Sequence, residues 1–147
     1  IKHLIDRLHT KSALRFLDLE LTGAVELMPG VYCEAANAHT EGSMNIHVHT
    51  PDGIATICGD VIYDFNAQIV TPFHENQDAE PRTTGNHGTS KRAEKAAIKK
   101  LLSSSRYLLP VHDRPAKIEG GAVVGRLHDQ VPGPVVQSLP QRNWFPA

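Results

Sequence analysis

Three residues of this 147-residue sequence carry metal-type chemistry at places where a chain could aim them at one point: His39, Asp60 and His112. His39 sits in a short loop, Asn37-Ala38-His39-Thr40-Glu41-Gly42-Ser43, and Asp60 closes the segment Cys58-Gly59-Asp60. Between them lie two strand-like runs joined by the turn Pro51-Asp52-Gly53. The first run alternates, with Met44, Ile46 and Val48 on one side and Asn45, His47 and His49 on the other. The second, Ile54 to Cys58, is nearly all apolar and reads as a buried strand. A hairpin returns the chain to its starting level, so the loop before it and the loop after it lie at the same end of a sheet. His39 and Asp60 are therefore expected to meet. A neutral imidazole and a carboxylate suit a zinc-like ion, which takes nitrogen and oxygen ligands.

The remaining elements must bring up the third residue. Ser90 is placed to cap a helix over Lys91 to Leu102, with Ala93, Ala97, Ile98, Leu101 and Leu102 in one stripe against a solvated Lys/Arg face. Arg106 to Val111 then reads as a short buried strand, and His112-Asp113 follows at its end. Val61 to Asn66 holds apolar residues at odd spacing, so Tyr63 and Phe65 are candidates to line a pocket. The run from Thr71 to Ser90 is polar and rich in Pro, Gly, Asn and Thr, the composition of a long loop that is either a functional lid or disordered. Toward the N-terminus, Ile1 to Glu20 suggests a short helix and then an irregular or strand-like piece, and Val31-Tyr32-Cys33 a short strand after the Met28-Pro29-Gly30 turn. Beyond Arg114 the chain is mostly loop around a short Ala122 to Val124 strand.

Length and composition fit one α/β domain over residues 1–147, with no internal repeat. The formal charge of −1, with acids and bases interspersed, leaves no electrostatic footprint for nucleic acid or an anionic membrane surface. No apolar run reaches the ~18 residues of a membrane helix. Two cysteines, Cys33 and Cys58, make no disulfide framework, and Cys58 in its apolar strand reads as a buried reduced thiol, which fits a cytoplasmic protein.

The order loop-His, hairpin, Gly-Asp, helix, strand, Pro-x-His resembles the C-terminal half of the metallo-β-lactamase superfamily, over roughly residues 20 to 115. Its TPGHTxGS, GD and PGHG-like motifs have counterparts in residues 37–43, in Cys58-Gly59-Asp60 and in Pro110-Val111-His112-Asp113. The resemblance implies half of an αββα sandwich, a mixed sheet with flanking helices. It also implies a zinc-dependent hydrolase with two ions, in which His39 binds the first, Asp60 bridges both and His112 binds the second. A hydroxide bridging the metals would be the nucleophile. Small molecules are the implied substrates: a lactone, ester or thioester, or an activated haloaromatic as in the chlorothalonil-dehalogenase type. An RNA-processing type of metallonuclease and an inactive half-domain serving as a binding module are the alternatives.

This sequence departs from the family pattern at Asn37-Ala38, at Asp113 and in the absence of one motif, and His128 is a further open position. Asn37-Ala38 replaces the PG before the first histidine, so Asn37 either contacts substrate or a bound water, or only stabilises the turn. Asp113 replaces a glycine, and could orient the His112 ring or be a surface acid. His128 is either a substrate-facing residue at the pocket rim or a surface turn histidine. The family's HxHxDH motif is absent, and His47-Val48-His49 lies in the wrong place in the order to supply it, so both are expected to be exposed strand histidines. Three ligands with one shared leave each ion two protein ligands, where a catalytic zinc usually has three. A missing N-terminal half, a partner chain or a second copy is therefore expected to complete the site and to cover the open face of the sheet, the isolated chain being inactive.

Overall fold

Alternating and apolar runs separated by Gly- and Pro-containing turns pair with their neighbours, and among the described residues seven strands line up in chain order. In the structure, a computed structural model, residues 16–76, 78–84 and 89–127 are described. The elements run α1 (Leu19–Thr22), β1 (Val25–Met28), β2 (Val31–Ala35), β3 (Met44–Thr50), β4 (Gly53–Gly59), a π-helical turn (Asn66–Val70), α2 (Thr71–Glu75), α3 (Lys91–Ser104), β5 (Tyr107–Pro110), β6 (Ala116–Glu119) and β7 (Ala122–Arg126). The chain is α/β, with one open mixed sheet in the order β1 to β7. Every neighbouring pair is antiparallel except β4 and β5, which are parallel and joined by the helical crossover. Among the described residues no helix is long and apolar enough to cross a membrane.

Helix α3 starts at Ser90, whose hydroxyl accepts the Ala93 amide, and buries Ala97, Ile98, Leu101 and Leu102. These meet Cys58, Leu108, Ala116 and Ile118 from the sheet and Val61, Ile62, Phe65 and Ile69 from the crossover in one core. The buried stripe of α3 also contains a carboxylate, Glu94, which is 1% exposed.

Three sequence expectations change here. The long polar loop begins at Asn76, because Thr71–Glu75 is helical with Pro72 in its first turn, where a missing amide proton is tolerated. A β6–β7 hairpin turning at Gly120-Gly121 takes the place of a mostly irregular tail up to Arg126. On β3 the alternation is real, but the core lies behind the polar side: Asn45 is buried and Met44 exposed. Side chains at paired positions share a face. His47, Thr56 and Leu108 are in register on the face that α3 covers, and Ile46, Ile57 and Leu109 are in register on the other. That second, apolar face is half-buried at Ile46 and Leu109 and exposed at Ile57.

Candidate metal centre at the carboxyl ends of two strands

Because β4 and β5 are parallel with Gly59 opposite Pro110, the residues just beyond both leave the sheet at the same edge. This is where open α/β sheets present side chains to ligands. Asp60 follows β4 through Gly59, whose φ of 52° is the left-handed conformation that glycine adopts without strain. His112 follows β5. His39 arrives from the loop before β3, held in the left-handed region itself at φ 63°, and Asn37 lies there too at φ 49°. Asparagine tolerates that conformation, but a histidine in it is uncommon, and such strain persists where surrounding contacts enforce it. Two threonines of the loop before α3 hold His39: the Thr89 hydroxyl donates to its carbonyl at 2.8 Å, and Thr84 Oγ1 lies 3.3 Å from Nδ1.

The three side chains converge. His39 Nε2 stands 3.7 Å from Asp60 Oδ2, and His112 Nε2 stands 3.2 Å from Oδ1, so each carboxylate oxygen faces a different imidazole. Neither pair is hydrogen-bonded: the first is too long, and Oδ1 is buried without a hydrogen-bond partner despite the nearby ring nitrogen. Among the described residues only Asn45 Oδ1 shares that condition. A buried carboxylate oxygen left unsatisfied is destabilising by about 1–3 kcal/mol or more, a cost that a donor or a cation beside it would relieve. The separations bracket the ligand–ligand edge of a zinc tetrahedron, about 3.3 Å for bonds near 2.0–2.1 Å. Among the described residues, however, no three or more His, Cys, Asp or Glu side chains form a group that could hold a metal ion. The donor types and the orphaned oxygen fit a cation, while the number of donors per ion falls short.

Tyr63 borders the site. Its half-exposed ring stacks on His112 with centroids 4.1 Å apart and planes at 24°, and lies 6.2 Å from the His39 ring. Phe65, expected beside it in a pocket wall, is wholly buried in the core, with the Arg126 guanidinium 4.5 Å from its ring centre. It supports the site from beneath and has no surface to offer a substrate. Asp113 does not orient His112: its Oδ2 accepts the Phe65 amide at 2.8 Å and faces Arg126 at 3.3 Å, while Oδ1 accepts the Arg114 amide. Asp113 thereby ties the segment carrying Tyr63 to the segment carrying His112. Asn37 is exposed, and no hydrogen bond engages its side chain among the described residues. His128 lies outside the described residues.

His47, expected to be exposed, is part of a network beneath the other end of α3. Its Nε2 lies 3.1 Å from Glu34 Oε1, its Nδ1 lies 2.9 Å from Thr56 Oγ1, and Thr56 pairs with Ser105 at 2.8 Å. Lys100 donates to both oxygens of Glu34. His49 does remain exposed.

Sequence reasoning missed Thr84 and Glu94. Glu94 Oε1 accepts both the amide and the hydroxyl of Thr84, each at 2.6 Å, which links a buried helix carboxylate to the His39 ring. The available signal was an acid three and four residues before Ala97 and Ile98, inside the apolar stripe. Compared with known proteins, the chain matches no family model and no curated protein.

Proposed function

We propose that the chain is the C-terminal half of a metallo-β-lactamase-type fold and that, when complete, it is a zinc-dependent hydrolase of small molecules. The observation that carries this reading is the Asp60 carboxylate, flanked by one imidazole at each oxygen and lacking a hydrogen bond at Oδ1. His39 and Asp60 Oδ2 would hold one zinc, and His112 and Oδ1 the other, so that one carboxylate offsets part of the charge of both ions. Such a pair, when bound, supplies a water that is nucleophilic at neutral pH and polarises the bond under attack. This chain's residues do the rest. Asp60 spans the two positions, Thr89 holds the strained His39 backbone and Thr84 its ring, and Tyr63 covers one side of His112 while leaving ring surface for an apolar part of a substrate.

A lactone, ester or thioester, or an activated haloaromatic, suits a site with a neutral aromatic wall. A phosphodiester is disfavoured by the net charge of −1. The second reading, a metal-poor half-domain acting as a binding module, draws on the shortfall of ligands and on the half-covered apolar sheet face. In either reading a missing N-terminal half, a partner chain or a second copy completes the sandwich. Two buried free thiols suit the reducing cytoplasm. Zinc content, measured with and without the Asp60→Ala substitution and followed by hydrolysis assays on lactone, ester and thioester panels, tests the proposal. Saturable zinc that disappears in the variant supports the hydrolase, and equal, negligible zinc in both sinks it in favour of the module.

A further inference from the structure

We infer that Thr84 and Glu94 are positioning residues that fix the tautomer of His39 so that its Nε2 is presented, unprotonated, to a cation at Asp60. The inference rests on the metal reading above and deepens it. A threonine hydroxyl has one proton, and here that proton goes to Glu94 Oε1 at 2.6 Å. The same oxygen takes the Thr84 amide at 2.6 Å, so the carboxylate, 1% exposed on α3, has Thr84 pinned at two points. Having donated, Thr84 Oγ1 can only accept from the nitrogen 3.3 Å away, His39 Nδ1. In a neutral imidazole a protonated Nδ1 leaves Nε2 with its lone pair, and it is Nε2 that faces Asp60 Oδ2 at 3.7 Å. A cation held between Nε2 and Oδ2 would take a lone pair from each.

The geometry of the backbone supports the same assignment. Thr89, in the same loop, accepts no part in the ring chemistry but donates to the His39 carbonyl at 2.8 Å, which fixes the φ of 63° that turns the ring toward Asp60. Glu94 would otherwise have no reason to lie in an apolar stripe, where a carboxylate is costly unless hydrogen-bonded. Partners of this kind behind a metal-binding histidine set its ring orientation and basicity, and losing one lowers metal affinity about 10- to 100-fold.

The test uses Thr84→Val, which keeps the shape and removes the hydroxyl, with Thr84→Ser as the conservative rescue and Glu94→Gln as the partner's variant. Nitrogen chemical shifts of the histidine rings, read without metal, are expected to show His39 with its proton on Nδ1 in the unmodified chain and in Thr84→Ser. Thr84→Val is expected to give a mixture of tautomers and Glu94→Gln an intermediate result. Apparent zinc affinity should fall about 10- to 100-fold in Thr84→Val and be restored by serine, with a cooperative urea unfolding transition in each metal-free variant excluding simple loss of fold. A His39 tautomer unchanged in Thr84→Val overturns the inference, as does a serine variant no better than valine. If the unmodified chain binds no zinc, the metal reading fails, while the metal-free tautomer measurement still decides whether Thr84 and Glu94 set the ring.

Discussion

Among the described residues two histidine–carboxylate clusters can be compared, and they differ in whether their hydrogen-bonding capacity is used up. Around His47 both ring nitrogens are engaged, Glu34 accepts from Lys100 and His47, and the Thr56 and Ser105 hydroxyls pair with each other. Around Asp60 two imidazoles approach but no hydrogen bond forms at Oδ1, and the histidine backbone that brings one of them in is strained. A closed network of that first kind joins β2, β3, β4 and the end of α3, and its chemistry is consumed in doing so. An open one is destabilising until something else arrives, which is why strain and unsatisfied groups point to function more strongly than histidine content does.

The largest expected effects would come from exchanging the perturbation between the two. His47→Ala should lower stability by roughly 1–3 kcal/mol, because it strands buried partners, and leave zinc binding unchanged. Asp60→Ala should do the reverse, removing zinc binding while leaving unfolding in urea without metal unchanged or slightly more resistant. Equal destabilisation by both substitutions would erase the distinction.

Acid should discriminate next. Burial alone would raise the Glu34 pKa, but hydrogen bonds from Lys100 and His47 outweigh it and hold the carboxyl below its ordinary value of 4.5. Glu80, bonded by Lys99 and Lys95 on the outer face of α3, is held at about 2. A folded-state pKa depressed in this way contributes stability that is full above the unfolded value and is lost as pH falls through the folded one. The ties of α3 to Glu34 and Glu80 should therefore persist at pH 5, and those of Glu80 should be released only as pH falls from about 4.5 toward 2. A carboxyl-detected NMR titration of Lys100→Ala should show Glu34 titrating at higher pH than in the unmodified chain. No upward move would mean that Lys100 is not the cause.

The smallest expected signal is an absence of reaction at Cys58, two residues before Asp60. Burial pushes its thiol up to about 12, so it is neither a nucleophile nor a ready ligand at neutral pH. Iodoacetamide at pH 8 should leave it unlabelled in the folded chain and modify it on unfolding. Rapid labelling of the native protein would show the rim to be more open than the core packing implies.

Local signals in the sequence were sufficient for the hairpin, for α3 with its serine cap, and for the strand that ends before His112. From connectivity alone they implied that His39 and Asp60 share one end of the sheet. Alternation on β3 revealed two faces without revealing which one α3 would cover, since a period of two is symmetric between them. For that reason His47 looked exposed and turned out enclosed. Phe65 looked like a pocket wall by its neighbours, yet the π-helical turn that follows it sends it into the core.

What the sequence determined by itself is the β3–β4 hairpin, α3 and the strand ends at which His39, Asp60 and His112 emerge, because hydrogen-bonded turns and apolar periodicity are local properties. Only the tertiary structure decided that each Asp60 oxygen would meet a different imidazole, that Asp113 would turn away to Phe65 and Arg126, and that Glu94 would reach His39 through Thr84. Those outcomes depend on contacts between residues as many as 52 positions apart along the chain, as between Asp60 and His112. No local pattern encodes a distance across a core.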